Sequence, residues 1–175
     1  MGASDLIQRY FSELAFLSAN LPTRLVAEVV EHLMAAHARG ATVFVIGNGG
    51  SAATASHFAN DLLKSGRGLD GQRLRTFALT DSVPILTAVG NDLGYERVFS
   101  EQLAANARAG DVLIALSGSG NSPNVLRGVE LARQMGLTTI ALGGFGGGRL
   151  AGMVDLAVVV PGSRIQVVED AHSAI

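Results

Sequence analysis

The 175-residue chain has no cysteine. It can therefore hold neither a disulfide framework nor a thiolate metal site, which fits a reducing, cytoplasmic compartment. Charged residues are scarce at 16%, the net charge is −2 and no cluster of Lys and Arg occurs, so nothing points to a nucleic-acid surface. No apolar run approaches the ~20 residues of a membrane span. The Met1–Asp5 start lacks the basic-then-apolar pattern of a secretory leader. What is present is 48% hydrophobic residues. That is enough for one domain (1–175) with a substantial core, and the low charge implies further surface buried between copies.

The first 40 residues read as two helices, over 3–38. Leu6, Ile7, Tyr10, Phe11, Leu14 and Leu17 recur at helical spacing, and so do Leu25, Val26, Val29, Val30, Leu33 and Met34 after a break at Asn20-Leu21-Pro22. Such a pair is more than one sheet face needs, so part of it is expected at an oligomer interface. Strands are then predicted at 42–46, 74–79, 112–116, 138–142 and 155–160. Helices are predicted at 51–64, 82–90, 95–107, 122–135 and 145–152, with another from about 165. This alternation argues an α/β fold, a parallel sheet with helices on both faces. Gly40, Gly110 and Gly136 each follow a helical stretch, as C-terminal caps do.

The richest segment is Gly47-Asn48-Gly49-Gly50-Ser51, between the apolar strand 42–46 and a helix. A strand running through glycines into a helix start gathers unpaired N–H groups and a positive dipole end, which suits an anion, most often phosphate. The plain alternative is a tight turn with Ser51 as N-cap. The loop lacks the third glycine of a dinucleotide fingerprint and the Gly-Lys-Ser/Thr of a P-loop, so no nucleotide cofactor is expected. On the following helix, His57 and Asp61 stand four residues apart on one face, an imidazole and a carboxylate suited to acid–base work or metal binding. Taken alone, His57 would read as a helix histidine hydrogen-bonded at the sheet edge.

A second loop, Ser117-Gly118-Ser119-Gly120-Asn121-Ser122, follows the strand 112–116 and precedes another helix. Its hydroxyls and glycine-freed amides suit phosphate oxygens, and two such loops at strand ends point at one crevice. The glycine-dense 143–149 reads as a mobile loop, with direct ligand contact the alternative. In the polar stretch 65–73, solvated loop charges outweigh an anion contact by the arginines.

Gly-Asn-Gly-Gly-Ser, His57-Phe58-Ala59-x-acid, Leu79-Thr80-Asp81, Gly90-Asn91-Asp92, Gly110-Asp111-Val112-Leu113 and Ser-Gly-Ser-Gly-Asn-Ser-Pro-Asn-Val, in this order over roughly 5–175, resemble the sugar isomerase (SIS) domain. More narrowly they resemble phosphoheptose isomerases, which convert sedoheptulose 7-phosphate to glycero-manno-heptose 7-phosphate. The resemblance implies a five-stranded parallel sheet, a homotetramer with sites between subunits, and a sugar phosphate held by Asn48, Gly49, Gly50, Asn91, Asp92, Ser117, Gly118, Ser119 and Ser122, to which the two loops themselves add Ser51 as a phosphate contact. It implies zinc at His57, with Asp61 as ligand and base. The family's usual acid is glutamate, and a threonine is typical where Gly118 stands.

The end of the chain admits two registers for the family's Gln-Glu-x-His: Gln166, or Glu169-Asp170-Ala171-His172 with Glu169 in the glutamine's place. In the second, the family's distal histidine falls past Ile175, and a last segment of ~11 residues is short for a docking helix, which suggests a chain that continues. Catalytic candidates are thus His57, Asp61, Glu169 and His172, and metal candidates are His57, Asp61 and Glu169. A metal-free acid–base pair stays open. So do a non-catalytic module that binds a phosphosugar or a partner protein, as in the replication-initiator-associating relatives, and an isomerase of another sugar phosphate.

Overall fold

The computed structural model describes residues 2–66, 71–162 and 164–175; the Arg67–Asp70 part of the predicted polar connection lies outside them. The elements run α1 (Ala3–Ala19), α2 (Thr23–Ala38), β1 (Thr42–Ile46), α3 (Gly50–Ser65), β2 (Arg75–Ala78), α4 (Val83–Asp92), α5 (Ser100–Asn106), β3 (Val112–Ser117), α6 (Pro123–Gln134), β4 (Thr138–Gly143), β5 (Leu156–Val159) and α7 (Ile165–Ala174). The sheet has five strands in the order β2-β1-β3-β4-β5, all parallel, as the sequence predicts. No helix of the described residues is long and apolar enough to cross a membrane.

Alternation along the buried central strands builds the two halves of the core, since successive side chains leave opposite faces. Phe44 and Ile46 of β1 and Leu113 and Ala115 of β3 pack with Phe99, just before α5, Leu103 of α5, and Val125 and Val129 of α6. Val43, Val45, Ile114 and Leu116 pack on the other face with Val29 and Leu33 of α2 and Ala55 and Ala59 of α3. Outside these layers α1 packs on α7 through Leu17, Val167 and Ala171. Tyr10 hydrogen-bonds Asp170, and Glu13 pairs with Arg164. The rest of the α1 stripe faces outward, with Leu6, Ile7 and Phe11 all more than half exposed.

Asp111 ties the first strands together. It is 7% exposed, and its carboxylate accepts the Thr42 and Arg108 amides, each at 2.8 Å. Gly40 and Gly136 adopt positive φ just past α2 and α6, as capping glycines do, whereas Gly110 lies four residues beyond α5 and caps no helix.

Two predicted helices differ from the structure. The helix predicted over 95–107 is a single 3₁₀ turn, Tyr95–Arg97, followed by α5, because the chain turns both Val98 and Phe99 into the core between them. The helix predicted over 145–152 is two 3₁₀ turns, Phe145–Gly147 and Leu150–Gly152. Phe145, Gly146, Gly147 and Gly148 all have positive φ, which no right-handed helix sustains. Predicted strand ends differ by one residue, yet Leu79 and Val160 still donate to the ladder, to Val45 and Gly143.

Candidate active site

β1 and β3 lie side by side, with Ile46 level with Ala115. Because the chain goes from β1 outward to β2 and then back across to β3, their carboxyl ends flank the point where the winding reverses, where open α/β sheets place ligands. Both glycine/serine loops open there, and the N-termini of α3 and α6 follow them directly.

The first loop needs its glycines. Gly49, the N-terminal cap of α3, has φ 54° and ψ −123°, a conformation open mainly to glycine. A Cβ on Gly47 would stand 2.6 Å from the Ser51 carbonyl oxygen. Ser51 is the second residue of α3 rather than its cap, and it is 4% exposed. At Gly50 the place of a Cβ is filled by the carboxylate of Glu169, reaching over from α7.

In the second loop the Ser117 Oγ accepts from the Gly120 amide at 3.1 Å and the Ser119 Oγ from the Asn121 amide at 3.3 Å. Ser122 holds the cap position of α6 without a capping bond. The glycine-dense 143–149 does not enter the cavity. It straps this loop from behind, through Gly144 N to Gly118 O at 3.1 Å, Arg149 N to Asn121 Oδ1 at 3.2 Å and Leu150 N to Gly120 O at 3.0 Å. The space a Cβ of Gly118 would need is taken by Ile165 Cδ1. Where the resemblance leads one to expect threonine, the Ile165 side chain of α7 fills the space.

Asn48, Ser51, Leu116, Ser117, Gly118, Ser119, Ser122, Ile165 and Glu169 thus line one cavity of about 150 Å³. Two positive helix ends, hydroxyls and a single carboxylate converge in it. Between the two C-terminal registers the structure puts Glu169 in the cavity and leaves Gln166 exposed outside it.

The other predicted residues lie elsewhere. His57 Nε2 and Asp61 Oδ2 are 3.1 Å apart and both side chains are well exposed. They line a second pocket, with Phe58, His172 and Ile175 among its walls. At a rise of ~1.5 Å per residue they stand ~10 and ~16 Å along α3 from Gly50. Ser56, on the same helix, hydrogen-bonds Thr80 and Asp81 and anchors the loop after β2. Ser82 heads α4 without a capping bond.

His172 is a correction to the expected reactive group. It is 3% exposed, its Nε2 lies 3.1 Å from the Gly143 carbonyl to which it donates, and its Nδ1 is buried without a hydrogen-bond partner. Burial lowers its pKa against the opposing pull of that carbonyl, so the imidazole is held neutral. Asn91 and Asp92 end α4 on the surface, outside the cavity, with Asn91 Nδ2 donating to Asp92 Oδ1 at 2.7 Å. Asp92 does not cap the turn that follows Gly94. Among the described residues no three His, Cys, Asp or Glu side chains gather closely enough to hold a metal ion. His57, Asp61 and Glu169 therefore do not form a complete metal site within one chain.

Two residues that sequence reasoning passed over support the cavity: Asn124, 2% exposed at the second position of α6, and Tyr95, whose hydroxyl reaches Asn48. The available signal was an asparagine, a poor helix former, just inside a helix that already had a serine at its cap.

Comparison with known proteins bears on this geometry. The SIS domain model matches residues 10–144. A phosphoheptose isomerase of Trichlorobacter lovleyi is 42% identical over 153 residues, 87% of this chain and 78% of that one. One from Rhodospirillum rubrum is 44% identical over 151 residues, 86% of this chain and 79% of the relative. The solved structure of a phosphoheptose isomerase from Neisseria gonorrhoeae superposes with a TM-score of 0.91 at 33% identity, covering 99% of this chain and 94% of that one. A sheet order of β2-β1-β3-β4-β5, glycine and serine loops meeting at its switch point, and this degree of identity all lead to one conclusion: the chain belongs to the SIS domain family and, within it, to the phosphoheptose isomerases.

Proposed function

We propose that the protein interconverts sedoheptulose 7-phosphate and glycero-manno-heptose 7-phosphate. The observation that carries this is the cavity itself, where the helix ends of α3 and α6 and Ser51, Ser117, Ser119 and Ser122 face one space beside the carboxylate of Glu169. The serine loop and helix ends hold the phosphate. A ketose-to-aldose step removes a proton from C1, passes through the enediol, and returns a proton at C2 while the oxygens exchange theirs. His57 and Asp61 form the acid–base pair for this transfer.

Because that pair stands ~10–16 Å along α3 from the cradle, a working site takes the cradle from one chain and the pair from another. This favours an oligomer, with the tetramer the resemblance implies, in the cytoplasm. His57 and Asp61 are also fit to be two ligands of a zinc ion. A third, Glu169 among the candidates, would have to come from a second subunit, and a bound zinc would stabilise the enediolate oxygen.

The test is turnover of sedoheptulose 7-phosphate followed by proton NMR, with and without chelator. Asp61→Asn is expected to abolish most turnover while sugar-phosphate binding survives, because an amide cannot take the proton. Binding without turnover on any five- to seven-carbon ketose phosphate would instead make the protein a phosphosugar-binding module.

A further inference from the structure

Asn48 lines the cavity, and its amide is bound on three sides. Its Nδ2 donates to Asn124 Oδ1 at 2.8 Å, Asn124 Nδ2 donates back to Asn48 Oδ1 at 2.8 Å, and the Tyr95 hydroxyl donates to the same Oδ1 at 3.0 Å. The orientation of both amides is fixed from outside the pair. The backbone amide of Val125 lies 3.0 Å from Asn124 Oδ1, and since a backbone N–H can only donate, that atom is the oxygen. Both lone pairs of Asn48 Oδ1 are then used, and one of its two N–H groups is spent on Asn124. One N–H is left.

We infer that Asn124 and Tyr95 are positioning residues that make Asn48 a donor-only contact, turned so that it recognises an acceptor oxygen of the sugar phosphate and excludes a ligand donor at that point. This rests on the isomerase reading above and adds to it the polarity of one recognition contact and the two residues that set it. The same node joins three loops. Asn48 follows β1, Asn124 opens α6 after the serine loop, and Tyr95 begins the turn just past Asn91 and Asp92.

The test is a double-mutant cycle on Asn48→Ala and Tyr95→Phe in the assembled protein, read as KM and kcat for sedoheptulose 7-phosphate and as its calorimetric Kd. Tyr95→Phe removes only the hydroxyl from a ring that is 59% exposed, so the thermal midpoint should not move. In the wild-type background it should raise KM and Kd by roughly three- to tenfold, the scale of one hydrogen bond, with kcat held within about twofold. In the Asn48→Ala background it should have no further effect, because Tyr95 acts only through that amide. Asn124→Ala should behave likewise if it folds. The same loss from Tyr95→Phe in both backgrounds would overturn the inference while leaving the isomerase intact. A wild-type protein that binds no sugar phosphate would overturn both.

Discussion

At the scale of single residues, the cavity works by leaving hydrogen-bonding groups pointed at a space they cannot fill themselves. The Ser119 hydroxyl accepts one long backbone contact, which leaves its own proton for an anion. Ser119→Ala is expected to weaken binding of sedoheptulose 7-phosphate by ~1–3 kcal/mol, the value of a hydrogen bond to a charged group. Wild-type affinity in a calorimeter would remove that side chain from the site.

His172 shows the opposite arrangement, a titratable ring that is buried and spends its Nε2 proton on a backbone carbonyl. Its folded-state pKa lies below the ordinary value of 6.5 because burial penalises the charged ring. As pH falls through that value the unfolded chain takes up a proton that the folded chain refuses, so stability present above it is progressively lost below it. Thermal melts from neutral to mildly acidic pH should show this loss, and His172→Gln, which keeps a donor, should lessen it. Parallel curves for the two proteins would mean that the ring does not remain neutral inside. In sequence His172 looked reactive because its neighbours fit a motif, and nothing local marks that it faces Gly143, 29 residues back.

At the scale of elements, the legible parts were those written in short stretches. Short apolar segments alternating with helical ones identified the strands, and a glycine loop between strand and helix identified the cradle, because both depend on neighbours in sequence. The failures were also physical. Helical spacing over 145–152 was outweighed by four positive φ values, and the 95–107 helix by the burial of Val98 and Phe99. The Asn48–Asn124–Tyr95 node was invisible because its members are 76 and 47 residues apart.

The docking of α7 can be tested at this level. Ile165 Cδ1 occupies the Cβ position that Gly118 leaves open, and the next nearest Ile165 atom, Cγ1, is 3.7 Å from it. Gly118→Ala should therefore push the half-exposed end of the Ile165 side chain into another rotamer, at a cost of no more than ~1 kcal/mol. Ile165→Val, which removes Cδ1 alone, should restore most of that loss in the double variant. If urea denaturation shows the two changes simply adding, α7 does not pack on that glycine.

For the whole molecule, the arrangement of apolar surface and of chemistry leads to one expectation. Leu6, Ile7, Phe11 and Phe16 on α1 and Val30 and Met34 on α2 are 41–64% exposed, apolar side chains that association with another copy would take out of water. The cradle and the His57–Asp61 pair, meanwhile, are separated along α3. An assembly through these helices would cover the first and complete the second. Two crippled proteins test it together: Asp61→Asn, with an intact cradle and no base, and Ser117→Ala/Ser119→Ala, with an intact base and a damaged cradle. Alone, each should turn over little sedoheptulose 7-phosphate. Co-expressed in equal amounts, random assembly should place an intact cradle of one chain against an intact base of another in roughly a quarter of the sites, as expected for a closed symmetric oligomer. Activity should recover to about that fraction. Light scattering should show an oligomer for every variant, and Phe11→Glu should shift it toward smaller species and abolish the recovery. If the mixture is no more active than its parts although the oligomer is intact, each site is built from a single chain. Glu169, the one carboxylate inside the cavity, would then be the base to examine.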